Sequence, residues 1–168
     1  GEIDADESSD ESTVATVAVA PAPTPETAAR LEVLLKSFST LTKQANIDRE
    51  FAPIFADLTV RVGKLHRMLG NFDDAQTYFA DGIEKYEAIV DENSDISTII
   101  GLASAYNEQG DVIALTRHPL AAYSTYQQAL DLFATHEEKL GDSPRATYER
   151  ARTLFLMSME YKPGPGQM

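Results

Sequence analysis

Between residues 25 and 161 apolar side chains recur at the three- and four-residue spacing of a single helix face, and no stretch alternates as a strand does. The punctuation between these runs is regular. Thr24-Pro25 opens a first helix, with a threonine cap and proline at the first helical position, and its face carries Leu31, Leu34, Leu35, Phe38 and Leu41. A second helix starts between Asp48 and Pro53 and runs to Leu69, where Gly70 is a natural C-terminal cap. Asn71 caps a third, whose first turn holds Asp73 and Asp74 at the positive end of the helix dipole. A fourth begins at Ser94 or Asp95 and is expected to stop at Gly110. His118-Pro119 opens a fifth and Ser143-Pro144 a sixth. Helices joined by short loops pack as antiparallel neighbours.

The helices resemble one another. Val62, His66 and Leu69-Gly70 match Leu102, Tyr106 and Gln109-Gly110, which aligns two glycines 40 residues apart. Ala75, Phe79 and Gly82 match Ala122, Tyr126 and Ala129 at a distance of 47 residues. The difference of 7 places an insertion in the loop Asp111–His118. A small residue where two helices cross lets their axes approach to about 8–9 Å, and an aromatic one turn later fills the groove beside it. A hairpin of this kind keeps an apolar face that only the next hairpin covers, so hairpins stack.

Val62-Gly63, His66, Leu69-Gly70-Asn71-Phe72, Ala75, Phe79 and Gly82 in one unit, and Leu102-Ala103, Tyr106, Gly110, Ala122, Tyr126 and Ala129-Leu130 in the next, resemble the tetratricopeptide repeat family. The resemblance covers residues 56–134, with the first and sixth helices as flanking half-repeats. It implies an all-α fold: a right-handed α-α superhelix of about three antiparallel hairpins, six helices in all, over residues 25–161. Residues 1–24 read as an acidic, Pro/Ala-rich disordered linker, and 162–168 as a Pro/Gly tail. Gly rather than Met at residue 1, with a tail that leads onward, is expected of one module in a longer chain.

The chain has 14 Lys and Arg against 27 Asp and Glu, a net charge of −13, which argues against nucleic acid or an anionic membrane surface as partner. No apolar run nears the roughly 18 residues of a membrane span, so no membrane insertion is expected. Without cysteine there is no disulfide framework and no thiolate chemistry. His66 reads as an aromatic substitute in the repeat core, His118 as a loop or cap residue, and His136 beside Glu137-Glu138 as a solvated face. Acid pairs such as Asp73-Asp74 and Asp91-Glu92 fall at helix starts or on exposed stripes rather than across a dry cleft. No cofactor, metal site or catalytic constellation is expected. Phe79, Tyr86, Tyr126, Phe133, Tyr148, Phe155 and Met159 read as core, and Tyr123 as exposed.

What remains for function is the face of each hairpin's first helix that points away from the hairpin core. In the tetratricopeptide family that face lines a concave groove for a peptide or partner helix. The resemblance carries this role to Val60, Lys64 and Arg67, with Arg61 a turn earlier, and to Ile100, Ser104 and Asn107. Lys64 and Arg67, three residues apart, form a small basic spot able to hold a carboxylate. The expected function is a non-catalytic scaffold that binds a peptide or protein segment. The alternative is self-association through the uncapped last helix, by way of Leu154, Phe155, Met157 and Met159.

Overall fold

The computed structural model describes residues 24–42, 51–116 and 118–160. The expected linker before Thr24, the 162–168 tail, and the side chains of Leu31, Leu35, Phe38 and Leu41 lie outside what it describes. Its described residues are all-α, in seven helices: α1 Pro25–Thr42, α2 Ala52–Met68, α3 Phe72–Glu87, α4 Ile96–Leu115, α5 Pro119–Thr135, α6 Glu137–Leu140 and α7 Pro144–Glu160. None of these helices is long and apolar enough to cross a membrane.

Local chemistry sets most boundaries. Thr24 Oγ1 accepts the Thr27 N–H at 3.3 Å, and Ser143 Oγ accepts that of Ala146 at 3.4 Å. Asp95 caps α4 by accepting the Thr98 N–H and the Ser97 hydroxyl, each at 2.7 Å; these bonds, Thr98's first, hold its carboxyl below the usual range. At the end of α2, Gly70 takes a φ of 79° that an L side chain resists. Its N–H reaches the Arg67 carbonyl while that of Asn71 reaches His66, the two reciprocal bonds of a Schellman cap. Asn71 occupies the N-cap of α3 but makes no side-chain cap bond.

The helices stack in order. Each of α2–α3 and α4–α5 forms a hairpin; α3 also packs on α4, and α5 on α7, while α1 covers α2. The first helices meet as well, α2 against α4 and α4 against α7. Helix α4 is therefore enclosed by four neighbours and holds the largest share of buried residues, from Thr98 to Val112.

Two expectations fail here for one reason. Gly110 does not end α4, which continues to Leu115, so residues 111–115 are helix rather than an inserted loop. Gly63 and Gly110 are instead equivalent: each lies under the aromatic ring 16 residues later, Phe79 and Tyr126. A Cβ on Gly63 would stand 2.7 Å from the Phe79 ring, and one on Gly110 would overlap Tyr126. Ala75 and Ala122, Phe79 and Tyr126, and Gly82 and Ala129 then recur at the same 47-residue interval, with no insertion. The helix count also rises to seven, because the chain adds the single turn α6, ended by Gly141 at a φ of 44°, before α7.

The core follows the small–aromatic pattern, with Ala75, Phe79, Tyr86, Ala122, Tyr126, Ala129 and Phe133 buried. Tyr148, Phe155 and Met159, expected inside, are exposed, whereas Met157, expected on an uncovered face, is buried against the Ala122–Tyr126 cluster. The inward face of α7 is that of Ala146, Thr153 and Met157; the other three sit on its opposite side.

Candidate functional site

Charged residues three apart share a helix face, and three such pairs converge where α2, α4 and α7 meet: Lys64 with Arg67, Glu108 with Asp111, and Glu149 with Arg152. Glu108 is the centre. Its side chain is 5% exposed, and its carboxylate lies 2.9 Å from Arg152 and 3.2 Å from both Lys64 and Arg67. Arg152 extends the network to Asp111 at 3.2 Å and Glu149 at 3.5 Å. The Tyr126 hydroxyl donates to Asp111 at 3.1 Å. Asn107 donates to Thr153 Oγ1 at 3.0 Å, and that hydroxyl donates in turn to the Glu149 carbonyl at 2.8 Å.

Burial and charge compete across the seam. For Glu108 desolvation is the largest influence and works upward, but Lys64, Arg152 and Arg67 together outweigh it and hold its carboxyl below the ordinary range. Asp111 goes the other way: burial, reinforced by the Glu108 charge, outweighs Arg152 and raises it. For Arg152 desolvation is again the largest single influence, working downward. The acids Glu108, Asp111 and Glu149 together overcome it and keep the guanidinium firmly charged. Three cations and three anions leave the seam formally neutral.

Beside it the C-terminal ends of the three helices frame an open pocket of about 270 Å³. Ala114 and Leu115 of α4 with Leu156 and Met159 of α7 form its aliphatic wall; Arg67, Asp111 and Tyr126 form its polar side. The last turns of α4 and α7 themselves carry no basic residue.

The structure distributes the seven groove candidates differently from their helical spacing. Val60 and Ile100 are core residues, Val60 packed against Gly82. Asn107 is fully buried on Thr153. Arg61 is exposed but paired with Asp57 at 2.6 Å, and Ser104 is half-buried. Only Lys64 and Arg67 come together, and the basic spot they make is already filled by Glu108 of the same chain. Val60 is buried because it faces its own hairpin partner, α3, whereas Ile100 and Asn107 belong to α4, which has neighbours on several sides.

Glu108, Asp111, Glu149, Arg152 and Tyr126 went unread in the sequence as a group. The available signal was Asn107-Glu108 in the middle of an apolar helix, with oppositely charged i, i+3 pairs on two others. His66, as expected, is a buried ring in the packing: it stacks on Tyr78 with centroids 5.0 Å apart, and desolvation lowers its pKa against the opposing charge of Asp74. Comparison with protein-family models, curated proteins and solved structures finds no match to this chain.

Proposed function

We propose that the chain is a non-catalytic scaffold, a right-handed α-α superhelix of the tetratricopeptide kind, that binds a protein segment at the common end of α2, α4 and α7. The observation that carries this reading is the open pocket there, with an aliphatic wall on one side and hydrogen-bonding groups on the other. The stacking of α2 through α5 into two equivalent hairpins supports the repeat architecture.

The chemistry of the segment follows from the site. Lys64 and Arg67 are engaged by Glu108, so a partner carboxylate has little to gain. The lack of basic residues in the last turns of α4 and α7 and the net charge of −13 favour cations instead. The partner is a segment with one large apolar anchor for the pocket, flanked by Lys or Arg.

The test is fluorescence anisotropy with labelled peptides in which a central Leu, Met or Phe is flanked by either Lys or Glu. The basic peptides bind, more weakly as salt rises, and Ala114→Trp, which fills the pocket, removes the binding. Equal affinity for the acidic set, or undiminished binding to A114W, refutes the reading.

A further inference from the structure

Helix α7 turns a continuous stripe of Tyr148, Ala151, Phe155, Ser158 and Met159 to solvent, all on one side of the helix. Large and small residues alternate along it. Tyr148 and Phe155 stand out as knobs; Ala151 and Ser158 leave holes. The two kinds match under one operation: in an antiparallel pair of identical helices centred at the level of Thr153, position 155 faces 151 and position 148 faces 158. From this self-complementarity we infer that α7 packs against α7 of a second copy, antiparallel and two-fold symmetric. Phe155 sits on the partner's Ala151, and Tyr148 on the partner's Ser158. Met159 belongs both to this stripe and to the pocket wall, but neither Ala151 nor Phe155, on which the pairing turns, lines the pocket.

Three observations support this pairing, the first of them against another helix of the repeat pattern. First, Ala146 and Phe133 line one cleft between α7 and α5, much as Gly101 meets Tyr86 between α4 and α3. That register puts Phe155 where α4 has Gly110. In both complete hairpins the glycine at this place receives an aromatic ring from the second helix, and a phenylalanine there closes the hole. Second, burial strands no donor on Ser158, whose hydroxyl already donates to the Phe155 carbonyl at 2.6 Å. Third, the area is of the right size. Tyr148 is 66% and Phe155 62% exposed. With Leu154 and Met159 they offer on the order of 500 Å² of apolar surface, near the upper end for a monomer's largest patch. Two copies bury on the order of 1,000 Å², the lower limit of a specific interface, so the dimer is a weak one.

Sedimentation equilibrium of the whole chain over a concentration series tests this through a knob-and-hole exchange. Wild type passes from monomer to dimer and no further, because an isologous contact closes. Phe155→Ala removes the knob and Ala151→Phe blocks the hole, so each weakens the dimer by about tenfold or more. Combined on one chain they re-form the same pairing with its members exchanged, and the double variant returns to within about threefold of wild type. General stickiness predicts the reverse for A151F, which adds apolar area. Both positions are exposed, and circular dichroism melts confirm that each variant is folded. A wild type that stays monomeric up to about 1 mM, tighter association of A151F, or a double variant no better than the singles overturns the inference.

Discussion

Replacing Glu108 with alanine removes one carboxylate and leaves Lys64, Arg67 and Arg152 facing one another across a space from which most water is excluded. Breaking a fully buried pair from one side costs about 3–5 kcal/mol, because the surviving charge loses its partner without regaining hydration. Here the figure is reduced. Lys64, Arg67 and Arg152 are 38%, 33% and 22% exposed, so each recovers some solvent, and Arg152 keeps Asp111 and Glu149. The expected loss is about 2–3 kcal/mol, read from urea denaturation followed by circular dichroism with an unchanged m-value. If the loss arises from stranded cations, removing one of them restores part of it. The double variant E108A/R152A should then lose at least about 1 kcal/mol less than the sum of its singles. A Glu108→Ala loss below about 0.5 kcal/mol, or additive singles, would show that the seam contributes little beyond ordinary surface pairing.

Two further outcomes follow from the core. Phe79→Ala empties the ring position over Gly63 and should cost about 3–5 kcal/mol, whereas Gly110→Ala, which drives a methyl into Tyr126, should also destabilise even though alanine is the better helix former; denaturant midpoints of the two variants check both signs. His66 has a folded-state pKa below its ordinary 6.5, so the unfolded chain takes up the proton first. Its contribution is present above pH 6.5 and is lost as pH falls from there through the folded value, and His66→Phe, which keeps a ring against Tyr78, should flatten the decline in denaturant midpoint between about pH 7 and 5. An equal decline in H66F would assign the acid sensitivity elsewhere.

The parts of the fold that depend on a few adjacent residues were legible in the sequence. Pro25, Asp95 and Pro144 start helices where their chemistry says, and Gly70 ends one. Gly110 was misread because a glycine that admits a ring and a glycine that ends a helix look alike locally. The distinguishing sign lay beyond it, in Val112, Ile113 and Leu115, which prolong the apolar periodicity of α4. The candidate groove was misplaced for a related reason. Periodicity tells which side of a helix is apolar, not how many neighbours surround it, and Ile100 and Asn107 belong to the helix with the most. The charged seam needed knowledge of which helices meet, since its members come from residues as far apart as 64 and 152.

In a stack where each unit touches only the next, an end can fray while the middle stays folded. The carboxylate of Glu108 works against that independence. It is held at once from α2 and from α7, so α7 cannot peel away without leaving a desolvated anion short of its nearest counter-charge. These three helices are thereby coupled, and a protease is expected to meet α4 and α7 as a single barrier rather than as separately yielding turns.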